Sequence, residues 1–172
     1  SLFRKEGRTD SDRAIRAQVI PSTVYCEQVA ESRRKGVDLD FMGEKSTSPI
    51  DGVTRRYPEI LILKPYNSCP QICVYCQRNW EIKGMDDTVM MAKKKVKEAL
   101  RWIDENESIT EVLITGGDPL TLGNDYLDWL IGEVAAIRHV ERIRIGTRIP
   151  VTLPFRIDSG LLDVFRKYHQ WG

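Results

Sequence analysis

The sequence predicts an α/β fold built from strand–helix units around a parallel sheet. From Glu59 onward, short apolar runs alternate with segments of helical period, three times over. Chemistry-bearing residues follow each run: Cys69, Cys73 and Cys76 after the first, Thr115-Gly-Gly-Asp-Pro-Leu120 after the second, Gly146-Thr-Arg-Ile-Pro150 after the third. Barrels and open α/β sheets build their sites at the carboxyl ends of parallel strands, so three such clusters support the same topology.

The N-terminal part is different in kind. Residues 1–20 are polar and charged, with a short helix predicted from Asp10 to Gln18 ahead of Pro21. A second helix is predicted from Ser22 or Thr23 through Arg34, with Ser22 as a cap and Val24, Cys26, Val29 and Ala30 as a partial apolar face. Gly36 ends it, and Cys26 reads as a small buried apolar residue. Residues 37–56 have no sustained period and read as a connection lying over the following domain. The expected division is therefore an N-terminal helical extension and connection over 1–56, then a core over 57–172.

Within the core, Glu59–Lys64 is the first predicted strand. A helix is predicted over 86–104, with Asp86 and Asp87 in its first turn and Val89, Ala92, Val96, Ala99, Leu100 and Ile103 as its inward stripe. Lys93, Lys94, Lys95 and Lys97 read as its solvated face. Thr110–Thr115 is the second strand, Tyr126–Arg138 the next helix, Glu141–Ile145 the third strand, and Ser159–His169 a last helix capped by Asp158 or Ser159.

Composition excludes several classes. The chain has 172 residues, with 26 Lys+Arg against 25 Asp+Glu, so no nucleic-acid or other polyanionic partner is indicated. No apolar run is long enough for a membrane span, and residues 1–8 lack the apolar core of a signal peptide. Three of the four cysteines crowd into eight residues, which does not look like a disulfide framework, and a reducing cytoplasmic setting is expected.

The cysteines are spaced C-x3-C-x2-C on a loop marked by Pro65, Asn67 and Pro70. Three thiolates can hold three irons of a [4Fe–4S] cube and leave the fourth open to a ligand. A zinc-stabilised binding module using a histidine as fourth ligand is the alternative, although structural zinc usually takes closed sets built from C-x2-C pairs. Gly116 and Gly117 permit close approach to the backbone, Asp118 offers an acceptor suited to an ammonium group, and a plain turn is the competing reading. Arg142, Arg144 and Arg148 could hold a carboxylate or form structural ion pairs. Arg78, two residues past the last cysteine, is better placed for a ligand.

Together these blocks resemble the radical S-adenosylmethionine (SAM) superfamily, and within it the lysine 2,3-aminomutase family, which includes glutamate 2,3-aminomutases. The resemblance runs through Ser48–Pro58, Cys69–Arg78, Thr115–Leu120, Ile143–Val151 and Leu153–Ile157. It implies a partial (β/α)6 TIM-like barrel of which about three units are present, and ligation of a [4Fe–4S] cluster by Cys69, Cys73 and Cys76. It also implies SAM on the open iron, with Gly116, Gly117 and Asp118 at its methionyl amine, Tyr75 against the cofactor, and Thr115, Arg144 and Thr147 as further cofactor-binding positions.

The implied activity generates a 5′-deoxyadenosyl radical and moves an amino group between adjacent carbons of an amino acid held on pyridoxal phosphate. Tyr57 matches a position near that cofactor and Arg78 one that pairs with the substrate carboxylate. An electron donor and homo-oligomeric assembly are expected. The sequence departs from the family at Ile60, where an arginine that contacts phosphate is common, and at Gln77-Arg78-Asn79-Trp80, where the lysine enzymes tend to read Thr-Arg-Arg-Arg. It also lacks the motif of the pyridoxal phosphate lysine. A truncated core without turnover of its own is therefore expected, and a family member without pyridoxal phosphate is the alternative.

Overall fold

The structure is a computed structural model that describes residues 9–82 and 90–170. It divides into two compact units: Ser1–Met42 with Gln71–Glu81, and Gly43–Pro70 with Ile82–Gly172. The cysteine loop thus crosses from one unit to the other between Pro70 and Gln71.

In the first unit, α1 (Asp10–Ala17) opens with a capping box in which Thr9 accepts from Asp12 N and Asp12 returns a bond to Thr9 N. Helix α2 (Thr23–Arg34) is capped by Ser22, whose hydroxyl accepts from Tyr25 N. Gly36, at φ +68°, ends it, with Gly36 N donating to Arg33 O and Val37 N to Ser32 O, the paired bonds of a Schellman motif. No residue of α2 is buried and Cys26 is exposed, contrary to the expected buried cysteine. The few apolar residues on α2 do not form a stripe wide enough to demand a partner.

The second unit holds a four-stranded open sheet of order β1-β2-β3-β4. Strands β2 (Ile60–Tyr66), β3 (Glu111–Gly116) and β4 (Arg142–Ile145) are parallel, with Ile60 opposite Glu111 and Glu111 opposite Arg142. Strand β1 (Val53–Thr54) pairs antiparallel with β2 and lies inside the stretch expected to be a connection. Two residues cannot display a period, yet Val53 and Thr54 are fully buried and Lys64 N donates to Gly52 O at 2.8 Å.

Burial alternates along β2, with Leu61, Leu63 and Pro65 inward. Leu61, Leu63, Val112 and Ile114 share the core with Val96, Ala99, Leu100 and Ile103 of α3 (Lys93–Asp104) and with Leu127, Leu130 and Val134 of α4 (Asn124–Ala135). The α3 stripe is therefore the predicted one apart from Ala92, which is exposed, but the described helix begins at Lys93. Met90 bridges to Tyr66 and Met91 N donates to Pro65 O at 2.8 Å, so 90–92 are extended beside β2. The expected first turn at Asp86 and Asp87 lies outside the described residues, as does Val89.

A one-turn helix, α5 (Ile149–Thr152), follows β4 and precedes α6 (Ser159–Tyr168), whose cap is Asp158 accepting from Leu161 N at 2.8 Å. Among the described residues no helix is long and apolar enough to cross a membrane.

Candidate functional site at the carboxyl ends of the strands

The exits of β2, β3 and β4 meet at Gly116-Gly117-Asp118. Gly116 has φ +110°, a conformation that only glycine adopts readily. Gly117 is required for a different reason. A Cβ there would stand 2.2 Å from Ser68 O and 2.4 Å from Ser68 N, so a side chain would collide with backbone. Gly117 N donates to Tyr66 O at 2.7 Å and Asp118 N to Ser68 O at 2.9 Å. What approaches this glycine pair is thus the β2 exit itself, one residue before Cys69.

Asp118 is 5% exposed. Its Oδ1 accepts from the Thr147 hydroxyl at 2.7 Å and from Leu120 N at 3.2 Å, and its Oδ2 accepts from Arg148 N at 2.7 Å. The chain's own donors reach both oxygens, so the carboxylate latches the β4 exit to the β3 exit. Thr147 also accepts from Ile149 N at 3.0 Å, fixing the start of α5. Thr115 Oγ1 lies 3.4 Å from Gly146 O, where a Cβ on Gly146 would crowd it.

The remaining candidates are distributed differently. Arg142 and Arg144 both pair with Glu111, a buried carboxylate at the amino end of β3; the Arg142 contact is 3.1 Å. Arg144 stands opposite Leu113, and the ion-pair alternative describes a contact of both arginines. Tyr57 is exposed and precedes β2, at the amino end of a strand about 20 Å long, away from the glycine pair at the other end. Its turn is held by Arg55, which the sequence reading passed over. Arg55 Nη2 donates to Pro58 O and to Ser108 Oγ, each at 2.7 Å, and the guanidinium lies over the Trp102 ring.

In the first unit, Cys76 N donates to Cys73 O at 3.1 Å, which folds the two cysteines into one turn. The N-terminal helices hold that turn: Val74 N donates to Gln18 O at 2.8 Å and Tyr25 Oη to Val74 O at 3.2 Å, while Asn79 Nδ2 donates to Tyr25 Oη. Gln18 and Tyr25 carry no motif and were not foreseen. The Tyr75 ring is exposed, and Arg78 closes the next turn by accepting from Glu81 N through its carbonyl. Burial pushes the Cys76 thiol up, opposed by a backbone N–H from Arg78. No disulfide joins the cysteines. Cys73 and Cys76 share one braced turn, while Cys69 belongs to the other unit, and among the described residues no three candidate metal ligands are grouped closely enough to hold an ion.

The radical SAM superfamily model matches residues 63–170, from the middle of β2 past the end of α6. The chain is therefore a member of that superfamily. An uncharacterized KamA family protein of Methanocaldococcus jannaschii is 45% identical over 98% of this chain and 27% of its own length. The glutamate 2,3-aminomutase of Clostridioides difficile is 41% identical over 90% of the chain and 35% of its own length. An L-lysine 2,3-aminomutase of Methanococcus maripaludis is 36% identical over 85% and 34% respectively. Within the superfamily, the chain belongs to the lysine 2,3-aminomutase family. It spans 27–35% of the length of these curated relatives.

Proposed function

We propose that this chain carries the cluster- and SAM-binding part of a radical SAM aminomutase-like isomerase acting on a small amino acid. One observation carries the reading: a C-x3-C-x2-C motif follows β2 and a Gly-Gly-Asp-Pro turn follows the neighbouring parallel strand β3, in a chain of this family. Cys69, Cys73 and Cys76 would hold the [4Fe–4S] cluster. The chemistry supplied there when it is bound is one-electron cleavage of SAM to a 5′-deoxyadenosyl radical.

The chain's own residues bind and orient. The backbone of Gly116 and Gly117, with Thr115 and Thr147, offers polar groups for the methionyl part of SAM, while Asp118 immobilises the turn from within. Tyr75 presents an exposed ring for stacking. Arg78 offers a guanidinium to a substrate carboxylate. Arg144, paired with Glu111, is a further position for cofactor binding. An electron donor, homo-oligomeric assembly and a reducing cytoplasmic setting belong to the same reading.

Pyridoxal phosphate would be met by Tyr57. A second reading, without that cofactor, is favoured by Ile60 standing where the family commonly has a phosphate-binding arginine, and by Arg55 being held by Pro58, Ser108 and Asn106.

Anaerobic reconstitution with iron and sulfide tests the main reading. A brown chain that cleaves SAM under reductant is expected; a colourless, zinc-only product without cleavage would sink it in favour of the binding module. Absorbance of pyridoxal phosphate added to the full-length protein then separates the two enzyme readings.

A further inference from the structure

We propose that Gly117 and Asp118 are positioning residues for Cys69: they clamp the backbone one residue before it and tie that clamp to the exit of β4. Cys69 is here taken as a cluster ligand, so this inference rests on the function proposed above.

Three features converge on Ser68, which is fully buried. Gly117 N and Asp118 N donate to Tyr66 O and Ser68 O, two bonds that straddle Asn67 and leave it no freedom to slide along β3. The room for Ser68 exists only because position 117 has no Cβ. The atoms that a Cβ would strike, Ser68 O at 2.2 Å, N at 2.4 Å and C at 2.8 Å, are all backbone, so no side-chain rotation relieves the collision. The φ of Gly117 is not positive, which separates its role from that of Gly116: space and not conformation demands the glycine.

The third feature is the anchor. The Asp118 carboxylate binds the Thr147 hydroxyl and Arg148 N–H, both at 2.7 Å, so the clamp is fixed to a second loop as well as to β3. A ligand one residue beyond a twice-clamped, buried residue is set before any metal arrives, which lowers the conformational freedom that binding must remove.

The test compares Gly117→Ala, Thr147→Val and Thr147→Ser with the unaltered chain, all purified anaerobically. Without metal, the alkylation rate of each cysteine by iodoacetamide is followed by mass spectrometry, with Cys26, Cys73 and Cys76 as internal references. After reconstitution, iron per chain and the EPR line shape of the reduced cluster are measured.

Gly117→Ala is expected to change the Cys69 rate about tenfold while the reference cysteines move less than about twofold, the size expected for losing one well-made buried hydrogen bond. Its iron content should fall and its EPR signal broaden. Thr147→Val should shift Cys69 in the same direction by a smaller factor, and Thr147→Ser should restore it.

If Gly117→Ala unfolds the chain, all four cysteines accelerate together and the threonine pair decides. An unchanged Cys69 rate in Thr147→Val, or an equal shift at every cysteine there, overturns the proposal. Failure of the unaltered chain to take up a cluster would count against the proposed function, and the alkylation comparison would still judge the clamp.

Discussion

Replacing Asp118 by alanine should remove about 4 kcal/mol of stability from the second unit. The carboxylate is 5% exposed, so solvent does not substitute for it. Its bonds to the Thr147 hydroxyl and to Arg148 N–H are both 2.7 Å, and hydrogen bonds to a charged group contribute about 1.5–3 kcal/mol each. The 3.2 Å bond from Leu120 N adds less. Alanine would remove the acceptor of a half-buried amide and hydroxyl on the β4 exit. Asparagine keeps one acceptor but turns an NH2 group toward another donor, so Asp118→Asn should lose about half as much. With a urea slope of about 2 kcal/mol/M, the alanine midpoint falls by about 2 M and the asparagine midpoint by about 1 M. Urea unfolding followed by circular dichroism checks this. A shift below about 0.5 M for alanine, with the slope unchanged, would refute the latch and return Asp118 to the role of a ligand acceptor.

Leu130→Ala, at a fully buried position on α4, should destabilise by about 2–5 kcal/mol in the same assay, and a loss under 1 kcal/mol would mean the core is not packed as described. Gly36→Ala forces a side chain to φ +68° with no neighbour to clash, so backbone strain of about 1 kcal/mol should lower protection of the Val37 amide about fivefold, with Gly36→Asn milder. On the α4–α6 surface, hydrogen bonds from Lys167 and Tyr168 hold the Asp128 carboxyl below its ordinary range, and the bond to Asp128 raises Lys167. The Asp128 contribution is present above the ordinary carboxylate pKa and is lost as pH falls through the depressed value. That of Lys167 is present below the ordinary lysine pKa and is lost as pH rises through the raised one. An NMR titration should therefore place the Asp128 midpoint below that of an exposed aspartate, and Lys167→Met should move it up; an ordinary midpoint in the unaltered chain would refute the pairing.

Much of the fold was legible because its signals are local. The α3 stripe of Val96, Ala99, Leu100 and Ile103, the Ser22 and Asp158 caps and the Gly36 stop each depend on residues within a turn or two of one another. Strand β1 escaped because two residues carry no period, and the start of α3 moved because Met90 and Met91 pair with the end of β2. Of the site, the clustering of motifs at strand exits was foreseen, but the partners of those motifs were not. Arg144 pairs with Glu111, and Asp118 is held by Thr147 and Arg148, partners no motif announces.

The order of elements, the cysteine spacing and the family follow from residue types and short separations, where backbone preference and periodicity act without help from the rest of the chain. Which groups each motif touches was decided by chain folding. Asp118 and Thr147 are 29 residues apart and Tyr25 and Val74 are 49 apart. No local preference records such pairs. They exist because parallel strand exits and helix ends converge in space, where a buried carboxylate or carbonyl takes the donor that packing brings within reach.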